Sequence, residues 1–124
     1  KINIISTGYM TQQAMQVAEK LGSRFPAGVV DVYRLKPLDE SLILQSVKKT
    51  HRCVIVEEGW RYSGVGAQVA DVIYNNIFDE LDAPVRRVTG LDVPMPYSKP
   101  LEHQVIPDAH RVIQAVRDVL YMKE

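Results

Sequence analysis

Short runs of β-branched residues alternate along this chain with longer stretches whose apolar residues recur every three and four positions, and few folds tolerate that order. Ile2-Asn3-Ile4-Ile5-Ser6 reads as a buried strand, with turn chemistry in Ser6-Thr7-Gly8 directly after it. From Met10 the period changes. Met10, Ala14, Val17, Ala18 and Leu21 share a helical face, and Gly22 stands where a helix closes. Val29-Val30-Asp31-Val32-Tyr33 is a second strand, Pro37 forbids its continuation, and Asp39 or Ser41 caps a helix carrying Leu42, Ile43 and Val47. Cys53-Val54-Ile55-Val56 is a third strand. A glycine-rich turn from Gly59 to Gly66 leads to a helix with Gly66, Val69, Ala70, Ile73, Ile77 and Leu81 on one stripe, broken at Asp82-Ala83-Pro84. Val85-Arg86-Arg87-Val88-Thr89 is a fourth strand, whose two central arginines place it at an edge or on a functional face. A closing helix starts near Pro107-Asp108, with proline in its first turn and Ala109, Val112, Ile113, Val116 and Leu120 on one face.

Strands separated by helices need right-handed crossovers, so the class is α/β with a mostly parallel sheet covered on both faces. One segment breaks the alternation: Pro94, Pro96 and Pro100 exclude a regular helix or a central strand, so 92–100 is a shaped loop. The 124 residues suit a single domain, 1–124, and 46% apolar with 24% charged residues is enough for an ordinary core. Lys plus Arg and Asp plus Glu both total 15. That balance removes the electrostatic reason to expect nucleic acid or an anionic membrane, and it favours association. No apolar run approaches the ~18 residues that cross a bilayer. Cys53, the one cysteine, excludes an intramolecular disulfide or a thiolate cluster and suits a reducing compartment. A strand directly after Lys1, without an initiating Met, leads us to expect a piece of a longer chain.

No catalytic set stands out. Cys53 lies inside a strand and reads as a small buried hydrophobe. His51, His103 and His110 lack metal-ligand spacing. Glu57-Glu58-Gly59 ends the third strand, where open parallel sheets gather ligands. Adjacent carboxylates on extended chain point to opposite sides, so one solvated glutamate and one capping or ion-paired glutamate is the simpler reading. Gly64-Val65-Gly66-Ala67 has the start of a dinucleotide fingerprint but lacks its third glycine at Val69, and the glycines serve close helix packing instead. Ser6, Thr7 and Thr11 could present an anion site or only a helix cap. Trp60, Tyr62 and Tyr97 fall in loops, as interface anchors do.

The loops carry a family pattern. Val56-Glu57-Glu58-Gly59-Trp60, Gly64-Val65-Gly66-Ala67, Leu81-Asp82-Ala83-Pro84-Val85, Arg87-Val88-Thr89-Gly90-Leu91-Asp92-Val93-Pro94-Met95-Pro96-Tyr97 and Leu101-Glu102 closely resemble the C-terminal domain of pyruvate dehydrogenase beta subunits, in the transketolase superfamily. The resemblance runs from Ile2 to Met122. Branched-chain 2-oxo acid enzymes typically carry a histidine where this chain has Tyr97, which favours pyruvate; acetoin dehydrogenases share the pattern. A free-standing α/β domain binding a small molecule at its strand ends is the rival from another class.

The resemblance implies a three-layer α/β/α sandwich, transketolase C-terminal domain-like, whose first, antiparallel strand would precede Ile2. It implies a domain without catalytic residues that serves pyruvate decarboxylation and acetyl transfer to lipoyl-lysine, with thiamine diphosphate and magnesium held elsewhere in the intact enzyme. Its partners would be an alpha subunit, a second beta subunit and the peripheral subunit-binding domain of the dihydrolipoyl acetyltransferase. Glu57, Glu58, Trp60, Pro94, Met95, Pro96 and Tyr97 would meet the neighbouring subunits, while Asp82 and Met122 would face the acetyltransferase. Lys123-Glu124 extend past the family's usual end. The location would be cytoplasmic in a bacterium and the mitochondrial matrix in a eukaryote.

Overall fold

In the computed structural model, residues 1–122 are described; Lys123-Glu124 lie outside them. Four strands, β1 (Ile2–Ser6), β2 (Ala27–Asp31), β3 (Cys53–Trp60) and β4 (Arg86–Gly90), form one parallel sheet in the order β2-β1-β3-β4. The α-helices are α1 (Met10–Leu21), α2 (Glu40–Thr50), α3 (Val65–Ile77), α4 (Lys99–Val105) and α5 (Ala109–Val119), with a 3-10 turn at Phe78–Glu80. Successive side chains of β1 alternate between two cores. Ile2 and Ile4 join Met10, Ala14 and Val17 of α1 and Val112, Val116 and Val119 of α5, whereas Ile5 joins Ile43 and Val47 of α2 and Val69 and Ile73 of α3. The result is the expected three-layer α/β/α sandwich.

Local chemistry sets the boundaries. Gly22 closes α1 at φ 58°, a conformation that costs glycine little. Asp39 caps α2 by accepting from the Leu42 N–H at 3.1 Å. Asp108 caps α5 through the Arg111 N–H at 2.9 Å, so Pro107 sits just before the cap and not in the first turn. β2 begins two residues earlier than its apolar run predicts, because Ala27 and Gly28 pair with Ile2 and Asn3. The helix α4 is absent from the sequence reading, which gave 92–100 to a loop; Pro100 opens it from the first turn, where no N–H is required. Of the two expectations for β4, an edge or a functional face, the sheet order shows the edge, and its arginines part company: Arg86 is exposed and Arg87 is turned inward.

Candidate functional site

The parallel strands end together, and the carboxyl edge gathers the turn after β1, the end of β3 and the loop after β4. Here β3 and β4 fall out of register: Val56 pairs with Val88 and Trp60 with Gly90, so Glu57, Glu58 and Gly59 face Thr89 alone. The irregularity sends the two glutamates apart. Glu57 is 3% exposed. Its Oε2 accepts from the Gly66 N–H at 2.7 Å, capping α3 where Gly64 offers no side chain, and its Oε1 accepts from Arg87 Nη2, also at 2.7 Å. A Cβ on Gly64 or Gly66 would lie 2.6 or 2.8 Å from Glu57 Oε1, so both glycines make room for the carboxylate. Arg87 Nη2 also donates to the Arg61 carbonyl at 2.9 Å, and the Arg61 N–H donates to Asp92 Oδ1 at 3.1 Å. One buried ion pair thus reaches both loops of the edge.

Beyond that pair the edge is apolar and aromatic. Trp60 is 54% exposed, Tyr62 81% and Tyr97 104%, with Leu91, Val93 and Met95 also standing out. Pro94 is exposed, Pro96 half-buried and Glu58 exposed. The Leu91 N–H donates to the Val105 carbonyl at 3.1 Å, which closes the proline loop at its base against the end of α4. Of the residues expected to meet neighbouring subunits, Glu58, Trp60, Pro94, Met95 and Tyr97 are available on the surface and Pro96 partly so. Glu57 is not, because both its oxygens are engaged inside the chain.

Asp82 and Met122 lie away from this edge, at the amino end of the sheet. Asp82 is exposed, and its N–H donates to the His51 carbonyl at 2.8 Å. It borders a groove of about 470 Å³ with Tyr74, Phe78, Leu81, Pro84 and Tyr121. Met122 is exposed and anchored by its N–H to the Arg117 carbonyl at 3.1 Å.

The family model described as the transketolase C-terminal domain matches residues 1–112. The chain belongs to that family. Among its relatives, the pyruvate dehydrogenase E1 component subunit beta of Rickettsia bellii is 42% identical over 123 residues, covering 98% of this chain and 38% of the relative. The mitochondrial pyruvate dehydrogenase E1 component subunit beta of Caenorhabditis elegans is 40% identical over 121 residues, covering 96% of this chain and 34% of the relative. A solved structure described as the inactive beta4 tetramer of a split-gene transketolase superposes with a TM-score of 0.82 at 30% identity, covering 100% of this chain and 39% of that one. The chain spans less than two-fifths of the length of each of these relatives.

The described residues of this transketolase C-terminal domain offer no cluster of His, Cys, Asp or Glu that could hold a metal. A diphosphate does not fit the turn at Gly64 and Gly66 either, because the Glu57 carboxylate fills it with negative charge. At the start of α1, Thr11 donates to Asp31 Oδ1 at 3.0 Å and accepts from Ser6 Oγ at 3.0 Å, so a carboxylate stands where an anion site would need cations. Burial in an apolar core pushes the Cys53 thiol well above its usual range and removes it as a nucleophile. His51 closes α2 at φ 60° with Nδ1 2.8 Å from the Glu80 carbonyl, a structural post. The sequence assigns no role to Arg61 or to Asp92. Nothing in their spacing marks them, since one acts through its backbone and the other through a bond across two loops.

Proposed function

We propose that this chain is an assembly domain of a pyruvate dehydrogenase beta subunit, contributing no catalytic group. The observation that carries the reading is the division at the carboxyl edge: the carboxylate best placed for chemistry, Glu57, is saturated inside the chain, while Trp60, Tyr62, Met95 and Tyr97 face outward. Aromatic residues and Met are what interfaces concentrate, and held on anchored loops they bind without a large ordering cost. The names of the relatives support pyruvate over the branched-chain and acetoin alternatives. The filled glycine turn speaks against a free-standing nucleotide-binding domain. In this reading thiamine diphosphate and magnesium belong to the rest of the beta subunit and to an alpha subunit, in the cytoplasm of a bacterium or in a mitochondrial matrix.

The amino end serves the second contact. Asp82 at the rim of the Tyr74, Phe78 and Tyr121 groove, with Met122 nearby, suits a basic docking domain of the acetyltransferase: the carboxylate steers and the apolar groove sets the lifetime. The test uses the full-length beta subunit with its alpha subunit. Trp60→Ser with Tyr97→Ser is expected to weaken tetramer association by at least about tenfold in sedimentation analysis. Unchanged association with full pyruvate decarboxylation would sink the assembly reading. Titration with the peripheral subunit-binding domain tests the other end. Asp82→Ala is expected to slow its association several-fold at low salt, and an unaltered rate would remove Asp82 from docking.

A further inference from the structure

The buried ion pair of the carboxyl edge does more than close the core. Its connections run in series: the Gly66 N–H to Glu57, Glu57 to Arg87, Arg87 to the Arg61 carbonyl, and the Arg61 N–H to Asp92. Glu57 and Arg87 are side chains of two neighbouring strands, whereas Arg61 and Asp92 belong to the loops directly after those strands, the first between Trp60 and Tyr62 and the second leading to Met95 and Tyr97. An apolar pair of equal volume would pack α3 on the sheet as well, and replacing a buried ion pair with apolar residues is often neutral or stabilising. What apolar side chains lack is direction: they cannot orient the Arg61 carbonyl or fix the loop that holds Asp92. Arg87 contributes both bonds from one nitrogen, Nη2, while its Nε has no partner among the described residues and faces Gly66, whose added Cβ would lie 3.1 Å away. The guanidinium is therefore committed to the loop side of the pair.

We propose that Glu57 and Arg87 are positioning residues for assembly, holding the end of β3 with the turn after it (59–63) and the loop 91–98 as one body so that their aromatic residues meet a neighbouring subunit preformed. This rests on the assembly reading and adds the residues that shape its surface. The physical gain is preorganisation: loops ordered before encounter lose less freedom on binding. Asp92 is the far end of the series and is exposed, so it can be cut without disturbing the core.

Three variants of the full-length beta subunit decide the matter. Asp92→Ala is expected to leave the thermal unfolding midpoint in place while raising amide exchange in both loops about tenfold and weakening tetramer association by a similar factor. Arg87→Met is expected to raise exchange further, and Arg87→Lys, which keeps the charge, to recover part of the protection and part of the association. Unchanged exchange in Asp92→Ala and Arg87→Lys would overturn the coupling of the loops. Raised exchange with wild-type association would overturn its consequence for the partner. The Trp60 and Tyr97 double substitution separates the two ideas: if it leaves association intact, the assembly reading has failed, and the exchange measurement still decides whether the ion pair joins the loops.

Discussion

The two ends of this sheet are built from similar residue types used in opposite ways. At the carboxyl end a glutamate and an arginine are drawn inside, and what reaches solvent is Trp60, Tyr62, Met95 and Tyr97. At the amino end the carboxylate of Asp82 stays in solvent, and the rings of Tyr74, Phe78 and Tyr121 line a groove beside it. The difference lies in what each charge meets. Glu57 has an unpaired helix N–H and a guanidinium within 2.7 Å, which offset the cost of leaving water. Among the described residues Asp82 has only its own backbone N–H engaged, and its side chain is exposed to solvent. A charge drawn into the chain and a charge left in solvent therefore have different signatures, and burial with saturated bonds tells them apart.

The largest test of this contrast is Glu57→Ala. It strands a partly buried guanidinium and uncaps α3, and urea unfolding is expected to show a loss of ~3 kcal/mol. A loss below ~1 kcal/mol would place Glu57 in the same energetic class as Asp82. Gly66→Ala comes next. Alanine is the better helix former by ~1 kcal/mol, but its Cβ would sit 2.8 Å from the Glu57 carboxylate, so a net loss of ~1–2 kcal/mol is expected. Gly59, with nothing within 4 Å of an added Cβ, should accept alanine at almost no cost.

The core between the two ends gives a pH test. Burial raises the Cys53 pKa in the folded state, so the thiol's contribution is fully present below the unfolded value near ~8.5 and is lost as pH rises toward the folded one. Unfolding free energy should fall by up to ~1.4 kcal/mol per pH unit above ~9 more steeply in wild type than in Cys53→Ala, and parallel slopes would contradict it. The smallest effect belongs to the amino end. Asp82→Ala should shift stability by less than ~0.5 kcal/mol, because its side chain makes no bond within the described chain.

Much of the sandwich was legible because periodicity reports burial directly. Ile4 and Ile5 point to opposite cores, as alternation requires, and of the two caps the residue types offered for α2, Asp39 and Ser41, Asp39 is the one that forms. Caps and periods are local, so a single chain shows them. The short helix α4 escaped because its prolines speak against regular structure, although Pro100 in a first turn is compatible with one. At the candidate site the opposite faces of Glu57 and Glu58 were readable from extended geometry. The partner of Glu57 was not, since Arg87 lies 30 positions away and acquires its role only through the pairing of β3 with β4.

Sequence alone determined the alternation of strands and helices, the inert Cys53 and the placing of aromatic residues outside the core, because each depends on residues within a few positions of one another. Tertiary structure decided which glutamate is buried, which arginine answers it and how two distant loops come to share one support. Those outcomes depend on strand order and on the irregular register between Val56 and Trp60, where a few ångströms separate a solvated carboxylate from a buried ion pair. A pattern of residue types carries no distance of that kind until the sheet closes.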